Sequence, residues 1–403
     1  MRKWVFAVCS VAVTSMIGCA ETVALAPAGA VSTLVEAQMW LETRVPEMIQ
    51  ACRRTMDDGT AAYPPQVGTG YKAFWLRDYA YILEGGAAHI PQSELLTSVS
   101  VFLNAQRVDG ACVDCVKYDG TAIYKPGYGT MGENSVADGS QFAVAVVWLT
   151  WKQTVDASLL ATNVQDKLVR AMEVIPTNAA TGLVYIDPDK AWDRCPYGFT
   201  DQIRKKGDCL FTSLLAVEAS RRLAEMLIAA GLISDAQVYT QRALDMTVQI
   251  NAVFWDENEK LYRGATVGCC EHDIWGSAFA VWLGVAPIER ADKIAAMFKV
   301  NHTALTQKGQ LRHTPPGVYW KTGCKRDTYQ NGAFWGTPVG WYAYTLNRVD
   351  PALADKALVD LVNDYAVRGV GEWVFGDHVA LPQGYMSSAT LPLAGIRRLM
   401  SER

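Results

Sequence analysis

The chain has 403 residues, half of them hydrophobic and only 19% charged, with a formal net charge of -4 and a sequence pI near 5.8. That much apolar material excludes a disordered chain, and the lack of any long basic run excludes the electrostatic footprint of a nucleic-acid binder. With 13 Trp and 17 Tyr the sequence can fill a large core and still offer aromatic faces to a neutral or weakly charged ligand.

In chain order, Met1-Arg2-Lys3 precedes an apolar stretch from Trp4 to Ile17 that is too short to span a bilayer and is patterned as a secretory signal. Residues 1–26 are therefore expected to direct export to the periplasm, the cell surface or the medium, and residues 31–403 to form one domain with no transmembrane span. Two cleavage sites compete: Met16-Ile17-Gly18-Cys19 resembles a lipoprotein box that would leave a lipid anchor on Cys19, and Ala24-Leu25-Ala26 fits an ordinary small-residue site. Beyond Cys19 come Cys52, Cys112, Cys115, Cys195, Cys209, Cys269, Cys270 and Cys324, an even number that suits disulfides in an oxidising compartment. Cys112-x-x-Cys115 and Cys269-Cys270 lack two Cys-x-x-Cys halves at zinc-ribbon spacing, so no structural metal is expected. Asp187-Pro188-Asp189 with Asp193 lacks the glycine and terminal glutamate of a calcium loop and reads as a solvated loop.

Apolar residues at helical spacing predict helices over 32–55, 74–88, 92–106, 138–155, 158–174, 208–230, 234–251, 273–283, 288–300, 333–348, 351–368 and 386–400, with no competing strand series. Short links such as Ile90-Pro91, Gly231-Leu232-Ile233, Gly284 to Pro287 and Val349-Asp350 alternate with long Gly-, Pro- and Asp-rich ones. Short links make antiparallel hairpins, and six in succession predict an all-α (α/α)6 toroid. Segments 74–88, 138–155, 208–230, 273–283, 333–348 and 386–400 would be the inner helices. Their N-termini and six long loops would then meet at one end, where partial positive charge favours carboxylates and polar ligands. Loops of roughly 17 to 33 residues are rare unless they line a site.

Each loop-to-helix junction sets polar or acidic residues among aromatics. The first, Phe74-Trp75-Leu76-Arg77-Asp78, suits stacking on a sugar face and bonding to its hydroxyls, although a first-turn Asp also compensates a helix dipole. In the second, Glu133 and Asn134 lead to Asp138, which with Gln141 three residues on reads as a capping box. The third runs Tyr197-Gly198-Phe199-Thr200-Asp201-Gln202-Ile203-Arg204, then Gly207-Asp208; Asp208 suits an N-cap, whereas Asp201 has no capping role and would point into the cavity. The fourth, Glu271-His272-Asp273, offers Asp273 as a cap and His272 as a ligand contact. The fifth, Tyr329-Gln330-Asn331-Gly332 with Trp335, concentrates amides and aromatics that fix hydroxyl-rich ligands, or else forms a tight turn. In the sixth, Glu372 sits between glycines and aromatics, with an exposed loop glutamate as the plainer reading.

Hydrolysis of a glycosidic bond needs two carboxyl groups, one to protonate the leaving oxygen and one to activate water or attack carbon. Asp201 and Glu372 supply such a pair. Arg204, Lys205 and Lys206 follow Asp201 and would depress its proton affinity, so a neighbouring carboxylate such as Asp208, or burial, must offset them.

Here the sequence resembles the six-hairpin glycosidases, and among them the neutral and alkaline invertases, the trehalases and the glycogen-debranching glucosidases. Phe199-Thr200-Asp201-Gln202-Ile203-Arg204 with Gly207 is similar to the segment holding the catalytic acid of those invertases, and Tyr329-Gln330-Asn331-Gly332 with Trp335 to their Asn-Gly-Trp signature. Glu372, in Gly371-Glu372-Trp373 with Gly376 after it, matches their late glutamate base, although the family's preceding Trp-Pro reads Val370-Gly371 here. The resemblance implies an inverting hydrolase with Asp201 as acid and Glu372 as base; the long loops favour a closed pocket and exo action, and no cofactor is expected. Trp75, Arg77, Asp78, Tyr197, Arg204, Asp208, His272, Asp273, Tyr329, Gln330, Asn331 and Trp335 would line the carbohydrate site. Three alternatives stay open: a sugar epimerase or isomerase, which usually needs a pair of cavity histidines; a uronate lyase, for which Arg77 and Arg204 would hold the acid; and a non-catalytic glycan-binding protein.

Overall fold

The computed structural model describes residues 30–68, 70–125, 134–190, 194–321 and 323–403. The expected export signal, its anchor at Cys19, and Glu133 and Asp193 lie outside the described residues. Among those described are twelve α-helices: α1 Leu34–Cys52, α2 Leu76–Gly86, α3 Gln92–Asn104, α4 Gly139–Thr154, α5 Thr162–Glu173, α6 Leu210–Ala229, α7 Ile233–Val253, α8 Ile274–Trp282, α9 Ile288–Leu305, α10 Val339–Leu346, α11 Pro351–Arg368 and α12 Ser387–Glu402.

Two kinds of helix alternate, and the sequence explains both. In α1 a capping box between Thr33 and Glu36 opens the helix, and Leu34, Ala37, Leu41, Val45, Met48 and Ile49 bury a single stripe. In α6 nearly every position from Leu210 to Ala219 is apolar or small and buried, so this helix is covered on all sides. The even-numbered helices share the second pattern and pack in succession, α2 on α4, α4 on α6, α6 on α8, α8 on α10, α10 on α12, and α12 back on α2. Glycines permit the last contacts: a Cβ on Gly85 would fall 2.0 Å from the Thr390 carbonyl oxygen, and one on Gly395 2.5 Å from the Gly340 Cα.

The expectation of no strands is corrected. Fifteen strands of two to four residues form five small antiparallel sheets among the described residues. They tie together the loops ahead of the even-numbered helices: Ala73–Trp75 with Cys115–Lys117 and Ala122–Ile123, and Lys206–Cys209 with Tyr185–Ile186 and Ala265–Val267. A third sheet runs Thr306–Gln307, Gln310–Arg312, Phe334–Trp335, Val374–Phe375 and His378–Val379, pairing Phe334 with Val374 two residues beyond Glu372. Segments this short fall below any detectable alternation. Segment 333–348 accordingly splits into a strand and the shorter α10, which starts only after Pro338.

The expected disulfides are also absent: no two of the described cysteines are bonded. Most are buried and pack as small apolar residues, and burial pushes the Cys52 and Cys112 thiols up to about 12. No described helix is long and apolar enough to cross a membrane.

Candidate active site

Three carboxyl groups from three junctions meet at one place. Asp78 stands in the first turn of α2, Asp201 follows the short 3-10 turn Gly198–Thr200, and Glu372 lies in the loop before α12. Each has one oxygen held by a neutral donor. The Tyr385 hydroxyl donates to Asp78 Oδ1 at 3.0 Å, Gln330 Nε2 to Asp201 Oδ1 at 3.1 Å, and the Tyr71 hydroxyl to Glu372 Oε1 at 2.9 Å. Gln330 is itself oriented by the Gln202 N–H, 3.3 Å from its Oε1. The tyrosines belong to a continuous aromatic layer: Tyr71 meets Trp75 edge-on at 5.0 Å, and Trp335 contacts Tyr329, Phe199 and Tyr385 at 5.3, 6.3 and 6.3 Å.

This environment favours the protonated forms. Burial raises Glu372 to about 8, with the charges of Asp78 and Asp201 adding to it and the Tyr71 hydrogen bond opposing. Burial likewise raises Asp78 to about 7 against the pull of Arg77, and Asp201 to about 6 against Gln330 and Arg77. Tyr71, Tyr329 and Tyr385 are held well above their usual range by burial and the nearby carboxyls, so they remain donors. The site therefore offers carboxyls that hold or release protons near neutrality, each with its second oxygen not committed to that donor.

The linkage has a sign that can be measured. A carboxyl whose pKa is raised on folding stabilises the fold while protonated, so that contribution is present below about 4.5 and is lost as pH rises through about 8 for Glu372. Glu372→Gln keeps an acceptor for Tyr71 and removes the ionisation. It is expected to raise the Tm relative to the parent chain at about pH 9, with the gain vanishing near pH 5; equal Tm differences at both values would count against burial as the cause.

The other residues expected at the site fall into two groups. Trp75 and Tyr329, both half-buried, and the buried Trp335 line the cluster, and the Trp335 indole N–H is spent on the Tyr329 carbonyl oxygen at 2.9 Å. Tyr197 is buried beneath it, its hydroxyl 2.9 Å from that of Tyr81 and its ring stacked on Phe211. Asn331 is consumed by its own loop, accepting from the Trp320 N–H at 2.8 Å and donating to the Cys324 carbonyl oxygen at 2.9 Å. Arg77 does not face the cluster's open side; its guanidinium is locked between Asp114 and Asp138. Asp208 lies in a strand, not at an N-cap, and accepts from Asn178 Nδ2 at 2.9 Å. His272 pairs with Asp256 at 3.1 Å instead of facing the three acids.

Asp273 caps α8 through the Gly276 N–H at 2.7 Å, as expected, and also binds Lys205 Nζ at 2.9 Å. Burial opposes its ionisation, but Lys205 and His313 outweigh that and hold it well below the usual carboxylate range. Lys205 is thus neutralised, Lys206 reaches the Pro188 and Lys190 carbonyls, and Arg204 is exposed, so burial prevails at Asp201. Asp138 makes no side-chain cap hydrogen bond, contrary to the capping-box reading. Tyr71, Tyr385 and Asp114 are the residues the sequence reading passes over. A shared signal marks the tyrosines: Gly70-Tyr71 and Gly384-Tyr385 each sit just ahead of an even-numbered helix.

Neither family models nor curated protein sequences match the chain. Solved structures do match in shape. The GH63 mannosylglycerate hydrolase from Thermus thermophilus, in complex with Tris and D-glycerate, superposes with a TM-score of 0.64 at 17% identity over 88% of this chain and 99% of that one. The rhamnosidase from Klebsiella oxytoca with rhamnose bound gives 0.63 at 15% identity, over 92% of this chain and 65% of that one. The GH78 rhamnosidase of Bacillus sp. GL1 gives 0.57 at 14%, over 89% of this chain and 34% of that one. The chain therefore shares the fold of these solved structures over most of its length.

Proposed function

We propose that the chain is an exported glycoside hydrolase, exo-acting and inverting, on an (α/α)6 toroid, with Asp201 as general acid and Glu372 as general base. The observation that carries this is the meeting of two proton-holding carboxyls from distant loops, each with one oxygen pinned by a neutral donor, beneath aromatic faces. Direct attack by water requires that the two groups flank the sugar with room for that water, about 6.5 to 9.5 Å apart. The closed succession of even-numbered helices supports the toroid, and the long loops at one end support a pocket for a terminal sugar. The apolar start after Met1-Arg2-Lys3 supports export.

The placement of other groups favours hydrolysis over the alternatives. His313 is buried against Asp273, His272 pairs with Asp256, and His302 meets Tyr342, so among the described residues no histidine hydrogen-bonds to the three acids. Arg77, which a uronate lyase would turn on its substrate's carboxylate, is already doubly paired.

A panel of alkyl and aryl glycosides, with mannosylglycerate and rhamnosides included, tests the reading. Release of a free monosaccharide from one class is expected. An unsaturated product from uronates would replace it with a lyase, and sugar binding without turnover would replace it with a glycan-binding protein. Turnover needs the pair to share a single proton, as it does between about pH 6 and about 8. A plot of kcat/KM against pH is expected to be bell-shaped with limbs near those values; a profile flat from pH 5 to 9 would contradict it.

A further inference from the structure

The turn that presents Asp201 is gripped from below by buried charge. Asp138 Oδ2 accepts the Gly198 N–H at 2.8 Å and Arg77 Nε at 2.8 Å, while its Oδ1 takes Arg77 Nη2 at 3.1 Å. The same Nη2 reaches Asp114 Oδ1 at 2.9 Å. Gly198 opens the turn Gly198–Thr200, and the Asp201 N–H closes it on the Gly198 carbonyl oxygen at 3.1 Å. The guanidinium lies so flat on that backbone that a Cβ on residue 198 would fall 1.8 Å from Arg77 Cζ. Arg77, Asp114 and Asp138 are 4%, 2% and 0% exposed, so no ligand in the cavity can replace these bonds.

We propose that Asp138 is a positioning residue for Asp201, which it holds through the Gly198 amide while Arg77 and Asp114 fix its own carboxylate. The inference rests on Asp201 being the acid of the proposed reaction. Stability alone is a poor reason for the arrangement, because taking two carboxylates and a guanidinium out of water costs several kcal/mol per ion, and apolar packing of equal volume is often as stable. Asp138 also forgoes the helix cap its place at the start of α4 would give it. The result is a rigid three-residue step between a fixed charge network and the reacting acid. Asp114 and Arg77 act on Asp201 electrostatically as well, the first raising its proton affinity and the second lowering it.

The test uses Asp138→Asn, Asp138→Ala, Asp114→Asn and Gly198→Ala in the full chain, with two readouts. The first is the titration of the Asp201 carboxyl by 13C NMR, with aspartate side chains labelled and no substrate present. Asp114→Asn removes a like charge and is expected to move that titration to lower pH. The second is kinetic: Asp138→Ala and Gly198→Ala are expected to lower kcat about 100-fold with KM changed less than about threefold, and Asp138→Asn, which keeps an oxygen for the amide, to recover part of the loss. Folded variants with an unmoved titration and unchanged kcat would overturn the proposal, whatever their Tm. Should Asp138 variants fail to fold, Gly198→Ala decides, because its Cβ pushes the turn off the Arg77 guanidinium without removing any of the three charges. Failure of the parent chain to hydrolyse any glycoside would remove the proposed function, while the titration would still decide whether this network governs Asp201.

Discussion

Asp201→Asn is expected to lower kcat by about 10²- to 10⁴-fold on a glycoside with a poor leaving group, while leaving the fold intact. Asn keeps an oxygen for Gln330, whose bond at 3.1 Å holds the side chain in place, so what is lost is the proton. The leaving group separates the two roles. Fluoride departs with little protonation, so with a glycosyl fluoride Asp201→Asn is expected to recover most of its rate, whereas Glu372→Gln, lacking a base for water, remains slow with both substrates. The measurement matters because Glu372, at about 8, holds its proton more tightly than Asp201, at about 6, in the unliganded chain. An acid at 201 and a base at 372 therefore work from the scarcer of the two singly protonated forms, by about a factor of 100. The reverse pattern, rescue of Glu372→Gln by fluoride, would exchange the roles and keep the pair.

Arg77→Met is expected to cost about 3 to 5 kcal/mol of folding stability, a large part of the total for an ordinary domain. Methionine fills much of the volume but leaves Asp114 and Asp138, both buried, without the cation between them. Burial would lower the guanidinium's own proton affinity, but the two carboxylates outweigh it and keep Arg77 charged. Urea unfolding of Arg77→Met, alone and combined with Asp138→Asn, measures this. Partial recovery in the double variant is expected, since one uncompensated charge goes; a loss below about 1 kcal/mol in the single variant would show the network to be dispensable.

The helices are legible because a repeat near 3.6 survives over ten or more residues, as in α1 and α11, and because both carry caps, at Thr33 and Asp350. The alternation of short and long links points to the order of packing that α2, α4 and their successors adopt. What the sequence hides is mainly local pairing: a strand such as Phe334–Trp335 is defined by its neighbours Leu311, Arg312 and Val374, none of them near in sequence. Eight cysteines read as disulfides on number alone, but a bond depends on geometry in space that the count does not carry, and all eight are free thiols.

At the site, Asp201 and Glu372 stand out in the sequence because neither has a helix to cap, and the fold sets them in one cluster with Asp78. Arg77 sits in the same tetrapeptide as Asp78, and no rule of spacing says that one turns toward the aromatic layer while the other turns beneath it. Asp114 is concealed between two cysteines that draw the eye to metal or disulfide chemistry. Tyr71 and Tyr385 belong to none of the motifs read from the sequence, and their hydroxyl partners, Glu372 and Asp78, mark them as part of the site.

How the carboxyl pair handles water decides the mechanism, and 1H NMR of the sugar released in the first turnovers reads it. The expected result is a product of inverted anomeric configuration, appearing before mutarotation and lost in both Asp201→Asn and Glu372→Gln on an unactivated glycoside. A product of retained configuration, or undiminished release by both variants, would contradict it.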